Sequence, residues 1–173
     1  YLFFLDSDDY FKKRKIELLI KKFKSNKKFD LIFDLPILKF KKKEIKENFK
    51  QKKFIISSWP RFTPQSCISI RRDFAKEIFK ELKIKKFKTI WFDFRIAVYY
   101  YLKNKNIYIF RKYLTYYRQL DNSASKEYKF FNKKWWIRRK QAHEFVSFVN
   151  KKLNLKDNNN FDKIATKVMN FFR

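Results

Sequence analysis

The chain has 173 residues, 45% of them apolar, which gives it the length and hydrophobic content for one domain with a real core. Its 45 Lys and Arg against 17 Asp and Glu leave a net charge of +28, which points to nucleic acid or an anionic membrane surface, although A/T-rich codons also favour Lys, Phe, Ile, Asn and Tyr together. The lack of glycine excludes glycine-rich phosphate loops, the lone Cys67 and lone His143 exclude a disulfide framework or a Cys/His zinc site, and no apolar run is long enough to span a bilayer.

Residues 1–9, Tyr-Leu-Phe-Phe-Leu-Asp-Ser-Asp-Asp, read as an apolar strand that runs into three carboxylates. Side chains two apart share a strand face, so Asp6 and Asp8 are expected together, a pair that resists ionising unless a cation lies between them. Hard oxygen donors of this kind suit Mg²⁺ or Mn²⁺; the competing reading is an Asp-rich turn that caps the next helix. That helix is expected over residues 10–25, with Asp8 or Asp9 as N-cap. Phe11, Ile16, Leu19, Ile20 and Phe23 fall at inward positions, and Lys12, Lys13, Lys15, Lys21 and Lys22 on a solvated face. Residues 30–34 read as a strand that Pro36 turns into an edge or a bend, residues 39–53 as a charged loop, and residues 54–57 as extended again.

A proline-bounded loop over residues 57–66 contains Trp59-Pro60 and Thr63-Pro64 and leads into a short strand at 67–70 and a helix at 71–82. Arg71 and Arg72 sit at that helix start, unfavourably against its dipole, which calls for an anionic partner: a local acid such as Asp73 or Glu77, or a phosphate. Residues 89–102 have helical spacing, with Ile90, Phe94, Ala97 and Tyr101 on the apolar stripe, Asp93 at its edge, and Arg95 and Tyr99 pointing away. An inward-facing acid there needs a reason, and a buried acceptor near the helix N-terminus is one.

Two β-rich stretches, 106–110 and 113–117, precede Arg118, whose guanidinium can pair with phosphate oxygens. Asp121, Asn122, Ser123 and Ser125 suit a turn and helix cap. From Lys126 onward the pattern is helical, with Phe131, Trp135, Ala142, Val146, Val149 and Leu153 on one face and lysines and arginines elsewhere. Such a helix either docks on its own domain, the first expectation, or lies on anionic lipid. A polar stretch at 154–160 precedes a last helix at 161–172, whose Ile164, Val168 and Phe171 or Phe172 need a packing partner.

Four stretches carry a resemblance when taken together: Phe4-Leu-Asp6-Ser-Asp8-Asp9-Tyr-Phe11, Thr63-Pro-Gln-Ser-Cys-Ile-Ser-Ile-Arg-Arg-Asp-Phe74, Ile90-Trp-Phe-Asp93 and Tyr116-Tyr-Arg118-Gln-Leu-Asp-Asn-Ser-Ala-Ser125. In this order they resemble the family 2 inverting glycosyltransferases of the GT-A type. The resemblance implies an α/β, Rossmann-like nucleotide-diphospho-sugar transferase fold, with residues 1–125 as the later part of the catalytic domain and 126–173 as a basic amphipathic helical extension. A chain that opens in mid-strand without Met is expected to lack the upstream strands that grip the nucleoside, and to be inactive without them.

The same resemblance implies site roles. Asp8, with Asp6 directly or through water, would hold Mn²⁺ or Mg²⁺ on the diphosphate of a nucleotide-sugar donor, most commonly a UDP-sugar, with Asp9 and Arg118 beside it. Asp93 would be the base that deprotonates the acceptor hydroxyl, and Trp59, Phe62 and Arg71 would line the acceptor side. The acceptor implied is a bacterial surface polysaccharide, lipopolysaccharide or lipid-linked precursor, handled in the cytoplasm with peripheral contact at the inner face of the cell membrane. Two positions depart from the family pattern: Phe92 stands where many relatives have a second acid, and Leu120 where relatives often have His. Composition alone supports a rival, a non-enzymatic nucleic-acid binder, but the aromatics mostly follow core periodicity and the acids at 6–9 would repel a polyanion. A third reading is an inactive, truncated transferase that scaffolds partners.

Overall fold

The computed structural model describes residues 1–49, 59–82, 86–104, 106–120 and 123–172. The extended piece expected at 54–57 and the cap residues Asp121 and Asn122 lie outside them. The chain is mixed α/β and forms two compact units, one of Tyr1–Lys50, Phe62–Lys83 and Ile107–Asp121, the other of Gln51–Arg61, Ile84–Asn106 and Asn122–Arg173. Residues 86–104, expected with the sheet, therefore pack with the C-terminal helices.

The first unit is built on a mixed sheet. Its strands are β1 (Leu2–Phe3), β2 (Tyr10–Phe11), β3 (Leu31–Lys39), β4 (Glu44–Lys46), β5 (Ile68–Ile70) and β6 (Ile109–Arg118), in the order β1-β5-β3-β6-β2 with β4 paired to β3. β3 and β6 run parallel, and the other pairings are antiparallel. Two helices, α1 (Lys15–Ser25) and α2 (Arg72–Leu82), complete the unit. Residues 31–37 of β3 are buried throughout, as befits a strand paired on both sides.

Pro36 sits inside this interior strand, where an edge or bend was expected. The register of β3 on β6 shifts on either side of Leu35, so the residue that cannot donate a ladder hydrogen bond lies beside an irregularity that tolerates it. The two strands expected at 106–110 and 113–117 are one, and the break between them survives as this shift. The loop expected from residue 39 turns at Phe40 and Lys43 and returns as β4.

The opening differs most from expectation. Only Leu2 and Phe3 pair as strand, and the Asp9 N–H donates to the Asp6 carbonyl at 3.1 Å, so residues 6–9 form a tight turn. Tyr10 and Phe11 then pair with Tyr116 and Thr115 on β6, which delays helix α1 to Lys15 and leaves Arg14, not Asp8 or Asp9, at its N-cap. The inward row of α1 is Lys15, Leu19 and Phe23, four residues apart. Leu19 and Phe23 pack with Ile32 and Leu114. Ile16, expected inward, is exposed.

Lys15, expected in water, is fully buried. Its Nζ donates to the Ser66 carbonyl and to Thr115 Oγ1, both at 2.6 Å, and lies 2.9 Å from Asp34 Oδ1. Thr115 in turn donates to Asp34 Oδ2 at 2.7 Å, and the ring of Phe11 lies 4.0 Å from the ammonium. Burial pushes the Asp34 carboxyl up to about 6, although Lys15 and Thr115 both favour its charged form. Cys67, beside this group, is buried; burial and the Asp34 charge push its thiol well above the usual range, so it is packing and not a nucleophile.

The second unit contains α3 (Phe92–Asn104), α4 (Lys133–Lys152) and α5 (Phe161–Phe171). α3 is buried from residue 96 to residue 100, including Tyr99, which was expected to point away. α5 docks on α4 by its polar side. Arg139 grips Asp162 with two hydrogen bonds of 2.6 Å, His143 Nε2 lies 3.1 Å from the same carboxylate, and Asn170 Nδ2 donates to the Trp136 carbonyl. Its apolar residues Phe161, Ile164, Val168, Phe171 and Phe172 face outward. Among the described residues no helix is long and apolar enough to cross a membrane.

The Lys15–Asp34 pair sets a stability test. Lys15→Met leaves a buried carboxylate unpaired and is expected to cost ~3–5 kcal/mol at pH 7 by urea denaturation, with much of the loss recovered in Lys15→Met/Asp34→Leu. Because the folded pKa of Asp34 lies above its ordinary value, its contribution to stability is full below pH 4 and declines as pH rises to about 6. That decline should be shallower in Asp34→Asn.

Candidate functional site

The acidic turn connects β1 at one edge of the sheet to β2 at the other, so it crosses the sheet end to which the parallel strands β3 and β6 point their carboxyl termini. Three tethers hold it. The Asp6 N–H donates to Ser66 Oγ at 3.0 Å, Gln65 Nε2 donates to Asp6 Oδ1 at 2.7 Å, and the Arg118 N–H donates to Asp9 Oδ1 at 2.9 Å. The Arg118 side chain adds a fourth, its Nε donating to the Asp8 carbonyl. Residues more than 100 positions apart in sequence thus meet at one turn, because β2 pairs with β6 and Arg118 is the last residue of β6.

Electrostatics at the turn are those of crowded acids. Burial, then the charge of Asp8, raises the Asp6 pKa, and Gln65 lowers it. Asp9 is also raised by burial first; Ser66, the Arg118 N–H and the two neighbouring acids act after it in opposite directions. Its Oδ2 is buried without a well-directed hydrogen bond, although the Ser66 hydroxyl is close enough to favour the charge. A divalent cation relieves this kind of crowding, and one or two carboxylates with water and phosphate make an ordinary Mg²⁺ site. The donors of Asp6 and Asp8 fit such an ion in chemistry. Among the described residues no group of three or more His, Cys, Asp or Glu is arranged to hold a metal.

Phe62 lies in the same unit, tilted against Phe33 at 6.4 Å. Arg71 is engaged within the fold. Its Nε donates to the Phe29 carbonyl and its Nη2 to the Phe23 carbonyl, both at 2.7 Å, with Asp30 Oδ1 3.8 Å from Nε. The cation set at a helix start thus finds its negative partner in the carbonyl end of α1.

Asp93 and Trp59 belong to the second unit. Asp93 sits in the first turn of α3, where its Oδ1 accepts the Phe94 N–H at 2.7 Å. Its charge favours the charged form of Arg138, whose pKa burial lowers. The Arg138 guanidinium lies 3.7 Å from the Trp91 ring centre and 4.6 Å from that of Tyr128. Trp59 packs edge-on to Phe94 at 5.1 Å and near the guanidinium of Arg139. Trp59, Tyr128, Trp135, Arg138 and Arg139 line a cavity of about 280 Å³; Asp93 is not among its lining residues, but its neighbour Phe94 is.

Lys15, Asp34, Gln65, Ser66 and Arg138 are the positions that sequence reasoning missed. An acid inside the apolar run Leu31-Ile-Phe-Asp34-Leu was a usable signal for a buried pair, and arginines directly after Trp135-Trp136-Ile137 were a usable signal for stacking. Nothing marked Gln65 or Ser66.

Comparison with protein-family models, curated proteins and solved structures finds no match.

The turn makes a titration test. By carbon-detected NMR, Asp6 should titrate above its ordinary 3.8, higher again in Gln65→Leu and lower in Asp8→Asn. No response to either change would mean that these three side chains do not share a field.

Proposed function

We propose that the chain carries the metal- and diphosphate-holding part of a GT-A-like inverting glycosyltransferase, moving sugar from a nucleotide-diphosphate donor, with UDP-sugar as the first candidate, to an acceptor hydroxyl. The observation that carries the reading is the meeting of Asp6, Asp8, Asp9 and Arg118 at the carboxyl end of a parallel strand pair. Ligands of open α/β sheets bind at that end, and the resemblance assigns these same four residues to one diphosphate.

In this reading Asp6 and Asp8 hold Mn²⁺ or Mg²⁺, which when bound offsets charge developing on the leaving diphosphate. Arg118 uses one N–H on the Asp8 carbonyl, and its remaining N–H groups are available for phosphate oxygens. Asp9, anchored by the Arg118 N–H, keeps the turn in shape. The resemblance gives Asp93 the role of base for the acceptor hydroxyl and Trp59 that of a ring face for the apolar side of a sugar. The acceptor is a surface glycan or lipid-linked precursor, met at the inner face of the cell membrane. What favours a peripheral membrane contact is the exposure of Phe130, Phe131, Phe161, Phe171 and Phe172 in a stretch where 13 Lys and Arg face 4 acids over residues 122–173.

Calorimetric titration of the chain with UDP is expected to show binding that needs Mn²⁺ or Mg²⁺, weakened at least about tenfold in Asp8→Asn and in Arg118→Ala. Asp93→Asn is expected to retain that binding and lose sugar transfer in a donor–acceptor assay. Metal-dependent UDP binding at parental strength in Asp8→Asn would remove the reading.

A further inference from the structure

A second cavity in the second unit, of about 560 Å³, lies along the α4–α5 pair and includes none of the residues discussed above as donor or acceptor contacts. Its volume is that of a small-molecule site. Lys86, Lys140, Lys151, Lys163 and Lys167 all line it, with Glu144 and Asp157 as the only acids among its described lining residues. Asp157 is already committed: Lys163 Nζ donates to it at 2.6 Å and to Ser147 Oγ at 2.9 Å. Burial opposes its charge, yet hydrogen bonds from Lys163, Ser147 and Asn150 hold its carboxyl down at about 2. Lys140, Lys151 and Lys167 make no ion pair with any described residue.

Two further features separate this cavity from an ordinary solvated lysine face. Thr166 lies on its wall with 1% exposure, and its hydroxyl has no hydrogen-bond partner. A buried hydroxyl left unpaired costs free energy that a bound acceptor would return. The other wall is aromatic, with Phe87 and Phe148 5.9 Å apart. Gathered cations, an orphan donor and an apolar wall together describe a ligand with a strongly anionic, oxygen-rich group and a flat or apolar part.

We infer that this cavity binds a phosphate-bearing small molecule, its phosphate held by Lys140, Lys151, Lys167 and the Thr166 hydroxyl and its apolar part against Phe87 and Phe148. The site lies wholly within the second unit, needs no metal, and stands apart from the transferase reading.

The test is binding in EDTA, which silences any metal-dependent diphosphate site. ADP and pyrophosphate are titrated calorimetrically, and vesicles containing phosphatidic acid are used in sedimentation. Because a chain of charge +28 attracts any polyanion, the variants are judged against Lys13→Glu/Lys24→Glu, which makes the same charge change on exposed lysines of α1 and the segment before it. Expected is one-site ADP binding tighter than that of pyrophosphate, weakened about tenfold by Thr166→Val and at least as much by Lys140→Glu/Lys167→Glu, with less than about a threefold change in the control. The same pattern seen only with vesicles identifies the phosphate as a lipid headgroup. Thr166→Val should also melt no lower than the parent without ligand, since it removes an unpaired group. No binding to any probe, or equal weakening in the control and cavity variants, or full affinity in Thr166→Val, overturns the inference.

Discussion

One buried ammonium holds the sheet unit together. Lys15 joins α1 to β3 through Asp34, to β6 through Thr115, and to the segment before β5 through the Ser66 carbonyl. None of these four positions is near another in sequence. Desolvating a lysine and an aspartate is costly, and only the full set of partners makes it tolerable. The arrangement specifies which elements must come together, and the apolar row of Leu19 and Phe23 then has a fixed place to pack.

The acidic turn depends on the same geometry. Ser66 gives its carbonyl to Lys15 and its hydroxyl to the Asp6 N–H, so the residue that completes the buried network also places the first carboxylate. Arg118 does the matching work from the end of β6. The turn is thus an extension of the core, which is why its acids can be crowded and partly desolvated without the loop rearranging to separate them.

Sequence periodicity located the helices well where one face is plainly apolar, as in residues 72–82 and 161–171, and the start of β3 from the apolar run at 30–34, though not its continuation through Pro36 to Lys39. It misplaced the start of α1, because pairing of Tyr10 and Phe11 with a strand a hundred residues away outweighs helical spacing. It put Lys15 in water for a similar reason: periodicity sees charge, and the acid that neutralises this one lies 19 residues along the chain. For the site, the acids and Arg118 were visible as motifs, but only the resemblance put them side by side; periodicity and spacing did not. Gln65 and Ser66 act only through positions the fold assigns them. In α5 the pattern was read correctly and its orientation was not legible, because the Arg139–Asp162 clasp and the Lys163–Ser147 hydrogen bond hold its polar side against α4.

Pro36 has a consequence for how this sheet can go wrong. A strand of nine residues rich in Leu, Ile and Phe is the kind of segment that slips along its neighbour or recruits another chain. A one-residue slide of β3 would carry the imino nitrogen away from the irregular stretch of β6 and place it opposite an acceptor it cannot satisfy. The same slide would turn Asp34 away from Lys15 and strand both charges. Proline and aspartate, two positions apart, therefore act as a ratchet that makes the misaligned sheet, and the aggregate that would grow from it, costlier than the native ladder.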